Sequence, residues 1–128
     1  MIPTRVVICG AKGRMGRTLV AAARADPELA VAGEIDLGDD LGRVIAGADA
    51  VVDFSGREAT LAVAKLAAAH HKALVIGTTG HTEAERQSVL AVVRDIPVVW
   101  TANFSTGVNI LFWLTRQVAV VAGPAWEA

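Results

Sequence analysis

Gly10, Gly13 and Gly16 lie three residues apart, between an apolar run, Val6-Val7-Ile8-Cys9, and a helix-patterned segment opening at Arg14. A strand feeding a glycine turn and then a helix is how a chain holds a pyrophosphate. Gly10 permits the tight turn, Gly13 lets backbone N–H groups approach phosphates, and Gly16 lets the helix lie close to its strand. The helix start adds free N–H donors and a positive dipole end. The spacing is G-x-x-G-x-x-G, with Lys12 where a second glycine is usual. Lys12 and Arg14 place two cations in one turn, where they repel unless an anion lies between them. Dinucleotide binding is the leading expectation.

The second apolar segment ends in Gly33-Glu34-Ile35-Asp36. An acid about 20 residues past the glycine turn can take the hydroxyls of a ribose. Asp36, at the strand end, is favoured by spacing, and Glu34 is the other candidate. The nucleotide stays open between NADH and NADPH. An acid there repels a 2′-phosphate, while Lys12 and Arg14 are able to hold one. No arginine follows Asp36 directly, so NADH is expected to serve at least as well as NADPH.

Three more loops fall at strand ends: Phe54-Ser55-Gly56, Gly77-Thr78-Thr79-Gly80 and Thr101-Ala102-Asn103-Phe104-Ser105. Gly77 and Gly80 allow close approach of the backbone, and the threonines offer uncharged hydroxyls suited to a nicotinamide amide or a ribose. Ligands of open α/β sheets bind at the carboxyl ends of the strands.

These loops need a frame. Short apolar runs near residues 5–9, 29–35, 50–54, 73–76 and 97–100 alternate with helical patterns. Continuous apolar strands predict a parallel sheet covered on both faces. The expected fold is a Rossmann-like, doubly wound α/β domain spanning residues 1–128. Only residues 37–49 separate the second and third strands, so the first half is expected to be shortened. Met15, Leu19 and Ala22 or Ala23 are expected on the inner face of the first helix. Ser55-x-x-Glu58 and Thr82-x-x-Glu85 are capping-box patterns. Gly123-Pro124 ends the last helix, which is apolar almost all round from Val108 to Val121. Such a helix is expected to pack on the sheet by one face, and its remainder to promote self-association.

Net charge is −1 with both signs interspersed, which offers no basic face for nucleic acid. The single Cys9 falls within the first strand pattern and reads as core packing rather than a nucleophile. There is no metal-ligand spacing, no leader pattern and no run long enough to span a bilayer, so a cytoplasmic protein without metal or membrane partner is expected.

The blocks GAKGRMG, VVDFS, VIGTTGHTEAE and TANFSTGVN, in this order and spacing, resemble the 4-hydroxy-tetrahydrodipicolinate reductase (dihydrodipicolinate reductase) family over nearly the whole chain. The resemblance implies a nicotinamide cofactor that passes hydride to a cyclic dicarboxylate on the route to diaminopimelate and lysine. It implies Gly10, Ala11, Lys12, Gly13, Arg14 and Met15 at the pyrophosphate and Asp36 at the adenosine ribose. Gly77, Thr78 and Thr79, with Phe54 and residues Thr101, Ala102, Asn103 and Phe104, would surround the nicotinamide end. Family members carry a second domain with a His-His-x-x-Lys stretch and a Ser-Gly-Thr segment that hold the substrate. Neither is present here, so no catalytic residue is assigned. His70-His71 ends a helix and reads as a cap; His81 reads as a turn residue. The chain alone is expected to bind cofactor weakly and to turn over negligibly. A stand-alone NAD- or CoA-binding sensor module is the alternative of another class. Another reductase or dehydrogenase of this fold is a third reading.

Overall fold

The computed structural model describes residues 2–123. Five parallel strands, β1 (Thr4–Cys9), β2 (Leu29–Ile35), β3 (Ala50–Asp53), β4 (Ala73–Ile76) and β5 (Val98–Trp100), form one sheet in the order β2-β1-β3-β4-β5. Four helices connect or follow them: α1 (Arg14–Ala25), α2 (Arg57–Ala69), α3 (Glu83–Val92) and α4 (Thr106–Ala122). The link from β2 to β3 holds only two 3-10 turns, Leu41–Arg43 and Ile45–Gly47. Removing the third strand of the 3-2-1-4-5-6 dinucleotide-binding order leaves this arrangement. The doubly wound α/β fold with a shortened first half is therefore present. None of the helices described is long and apolar enough to cross a membrane.

Alternation along the strands divides the core between the two faces. Val7, Cys9, Val51, Leu74 and Ile76 pack toward Val63, Ala64 and Ala67 of α2, Val89 of α3, and Leu41 and Ile45 of the turns. Val6 and Ile8 pack toward Val20 and Ala23 of α1. Each fully buried aliphatic side chain contributes ~2 kcal/mol of apolar burial.

The α1 side is covered only over β1, β2 and β3. Val99 of β5 stays 55% exposed there, so the expectation of a sheet sheltered on both faces holds for part of it. The cause is α4. No residue of α4 is buried, against the expectation that one of its faces packs on the sheet. The helix leaves the sheet edge and carries Leu111, Phe112, Trp113, Leu114 and Val118 into solvent. Gly123 closes it with φ +77° and an N–H donated to the Ala119 carbonyl at 3.0 Å. Pro124 lies outside the described residues.

Two local expectations change. The buried stripe of α1 is Gly16, Val20 and Ala23, and Met15 is exposed. The helix rests on the glycine turn through Gly16, which rotates Met15 to the outside. The capping box forms at Thr82–Glu85 but not at Ser55–Glu58. Gly56 is the N-cap of α2, Glu58 pairs with Arg57, and Ser55 bonds elsewhere.

Cys9 is 1% exposed, and burial first, then the charge of Asp53, pushes its thiol up to about 12 from the ordinary 9.0. A thiolate is the reactive species, so no reaction with a disulfide reagent is expected at pH 8 until the chain unfolds. Fast native-state labelling at that pH would contradict this. The folded value lies above the unfolded one. The associated stability is therefore intact below pH 9 and is lost as pH rises toward 12.

Candidate functional site

The carboxyl ends of all five strands open on one edge. The turn after β1 is built by close backbone packing. Gly10 has φ +80°, and a Cβ on it would meet the Phe54 carbonyl oxygen at 2.3 Å. The N–H groups of Gly10 and Ala11 both donate to the Ile35 carbonyl, at 2.8 and 3.1 Å. Gly13 is the N-cap of α1, and neither a side-chain cap nor an acid occupies the first turn of that helix. The first N–H groups of a helix have no partner within it, so here they are left to an outside acceptor. Ala11 is buried, while Lys12 and Arg14 are exposed.

Asp36 lies just beyond β2 and reaches back to this turn. Its Oδ2 accepts the Lys12 N–H at 2.7 Å and its Oδ1 the Leu37 N–H at 2.8 Å. The Leu37 bond first, and the Lys12 bond second, hold its carboxyl below the usual carboxylate range. Each oxygen accepts one such bond, and a carboxylate has about four lone-pair positions in all. Asp39 accepts the Asp36 N–H at 2.9 Å, and its Oδ2 stands 3.9 Å from the Lys12 ammonium. Glu34, the other candidate, is paired with Arg24.

Two cavities line this edge. One, of about 560 Å³, lies between the glycine turn, Asp36 to Leu41, and α2; Gly10, Gly13, Asp36, Asp39 and Phe54 are in its wall. The other, of about 700 Å³, is lined by Arg14, Met15, Phe54, Arg57 and Gly77 to Thr79. Phe54, Ser55 and Gly56 belong to both. The Phe54 ring lies over Gly77, where a Cβ would sit 2.1 Å from its Cζ. Phe104 meets the same ring with centroids 5.9 Å apart.

The structure thus brings Gly10, Gly13, Arg14, Met15, Asp36, Phe54, Gly77, Thr78 and Thr79 into the two walls. Thr101, Ala102 and Asn103 line neither. The Thr101 hydroxyl donates to the Asn103 carbonyl, and Asn103 Oδ1 accepts the Ser105 N–H, so this loop is tied to itself. Thr78 is buried in the wall of the larger cavity and donates its hydroxyl to the Asp53 carbonyl at 3.3 Å. Sequence reasoning misses Arg57, a second cation in the larger cavity, and the apolar wall of Ala59, Ala62 and Leu66. Ala59 and Ala62, three apart on one helix face, were the available signal. His70 closes α2 and His71 takes φ +51°, as a helix end requires. His81 lies edge-on to Trp100 at 5.1 Å and belongs to neither wall.

Residues 4–104 match the family described as dihydrodipicolinate reductase, N-terminus. A 4-hydroxy-tetrahydrodipicolinate reductase of Akkermansia muciniphila is 42% identical over 118 residues, covering 92% of this chain and 48% of that protein. One of Anaeromyxobacter dehalogenans is 40% identical over 147 aligned positions, covering 97% and 54%. The chain spans about half the length of these curated relatives. Among solved structures, a dipicolinate-bound dihydrodipicolinate reductase from Paenisporosarcina sp. TG-14 superposes with a TM-score of 0.79 at 19% identity, over 92% of this chain and 54% of that one. The extent of the family match, together with this identity to the curated relatives, places the chain in the dihydrodipicolinate reductase family, of which it represents the N-terminal region.

Proposed function

We propose that this chain binds a nicotinamide dinucleotide, NADH or NADPH, along the strand-end edge. It is then the cofactor-binding part of a cytoplasmic reductase acting on 4-hydroxy-tetrahydrodipicolinate, in the route to diaminopimelate and lysine. The observation that carries this reading is the uncapped, acid-free start of α1, held against a glycine turn whose backbone leaves no room for a Cβ. When bound, such a cofactor supplies a transferable hydride. The residues here bind and orient it. The N–H groups at the start of α1, with Arg14 and Arg57, suit a pyrophosphate. Asp36, held ionised by two backbone N–H groups, offers its remaining lone pairs to ribose hydroxyls. Phe54 and the Gly77–Thr79 loop wall the larger cavity, where the nicotinamide would lie.

Asp36, Asp39 and Asp40 all line the smaller cavity, and Lys12 stands beside Asp39. That surplus of negative charge disfavours a 2′-phosphate. The dicarboxylate substrate is proposed to be held by a second domain, as the family resemblance implies, so the chain alone is expected to give negligible turnover. The exposed apolar face of α4 is proposed to drive self-association into a homo-oligomer.

Calorimetric titration with NADH and then NADPH tests the binding. NADH is expected to bind at least as tightly as NADPH. Asp36→Ala is expected to weaken NADH about tenfold, the effect of losing hydrogen bonds to a charged acceptor. Binding of neither nucleotide, or an Asp36→Ala chain equal to the parent, would reject the assignment.

A further inference from the structure

We propose that Asp53 is a positioning residue of the nucleotide site, acting through Ser55; the proposal rests on the cofactor reading above. Asp53 ends β3 with no exposed surface at all, on the core side of an otherwise apolar strand. Its Oδ1 accepts both the N–H of Ser55, at 3.0 Å, and the Ser55 hydroxyl, at 2.5 Å. Its backbone carbonyl accepts the N–H groups of Gly77 and Thr78, at 2.9 and 3.3 Å, and the Thr78 hydroxyl. One residue therefore fastens two of the loops that wall the larger cavity: residues 54–56 by its side chain and residues 77–78 by its backbone.

Oδ2 of the same carboxylate is buried and has no hydrogen-bond partner. Burying an acid with an unsatisfied oxygen costs stability. A valine would pack at this position without that cost, as Val51 does on the same face of the strand. The carboxylate is explained by what Oδ1 does to Ser55. The sequence around Ser55 is a capping-box pattern, and a free Ser55 hydroxyl would cap α2 and occupy N–H donors at its start. Asp53 takes that hydroxyl instead. Gly56 becomes the N-cap with no side-chain bond, Glu58 is the acid in the first turn of α2, and Phe54, Ser55 and Gly56 stand where the two cavities meet. Asp53 turns Ser55 from a cap into a strut.

The test is NADH titration of the parent chain, Ser55→Ala, Ser55→Thr, Asp53→Asn and the double variant Asp53→Asn/Ser55→Ala, each checked for folding by its urea midpoint. Ser55→Ala is expected to bind about tenfold more weakly, because a hydrogen bond to a charged acceptor is lost. Ser55→Thr keeps the hydroxyl and is expected to restore affinity to within about twofold of the parent. The double variant is expected to bind no more weakly than the weaker single one, since both act on one contact. Equal affinity throughout, a threonine variant as weak as the alanine one, or additive losses would overturn the proposal while leaving the cofactor reading intact. A parent chain that binds no NADH would overturn both. If Asp53→Asn fails to fold, the two Ser55 variants decide.

Discussion

Gly16→Ala is expected to destabilise the chain by ~3 kcal/mol or more, although glycine to alanine inside an exposed helix ordinarily gains about 1 kcal/mol. The sign reverses because of where α1 rests. A Cβ at position 16 would fall 1.9 Å from the Gly10 carbonyl oxygen, 2.7 Å from its carbon and 2.8 Å from the Ala11 Cα. All three are backbone atoms of a turn pinned by Gly10 and Ala11 N–H bonds to Ile35, so no rotamer change relieves the contact. The helix must lift, and Val20 and Ala23 then separate from Val6 and Ile8. Overpacking of this kind costs ~1–3 kcal/mol even where side chains can yield. Gly47→Ala is the control, since nothing lies within 4 Å of its added carbon. Urea midpoints of the three chains measure the effect. A Gly16→Ala chain as stable as the parent would show that α1 is not seated on the turn. NADH affinity should fall with stability, because the same helix presents the N–H groups proposed to take the pyrophosphate.

On α4, Leu114→Lys combined with Val118→Lys is expected to convert an associating chain into a monomer at no cost in stability. The chain exposes 8454 Å², against about 6500 Å² for a compact protein of its mass. The excess is more than twice the ~800 Å² that each partner buries in a standard protein interface. Leu111, Leu114, Val118 and Val121 recur at spacings of three and four along α4, and all are exposed. That is the seam by which two helices pair. Lysines in it would be desolvated on association, which is unfavourable for unpaired charge. They would leave the core untouched, because no α4 residue contributes to it. Sedimentation velocity of parent and double variant, with urea midpoints, tests both halves. A parent chain that sediments as a monomer would reject self-association through this face.

Much of the fold follows from local chemistry. Apolar runs of four to seven residues, broken by helix patterns with their own start signals, allow little other than a parallel α/β sheet. The strand boundaries read from the residues agree closely with those found, and Thr82–Glu85 caps α3 as its pattern indicates. The glycine turn was legible because its glycines meet backbone rather than side chains, and backbone geometry does not vary with the surrounding sequence. The capping box at Ser55 was not legible in the same way. Its pattern is local, but the competitor for its hydroxyl is a buried carboxylate, whose pull depends on the sheet having already excluded water.

The sequence by itself determined the class of fold, the edge on which the strand-end loops gather, and the family. Each of these rests on period, spacing or residue order along the chain. Spacing already favoured Asp36 over Glu34; only the tertiary structure gave the two acids different partners, Arg24 for Glu34 and the Lys12 N–H for Asp36. It alone bonded the Thr78 hydroxyl to the Asp53 carbonyl, put Arg57 and Arg14 in the wall of one cavity, and left α4 off the sheet. Which of several possible partners a polar group takes is set by residues distant in the chain, and by how little water is left between them.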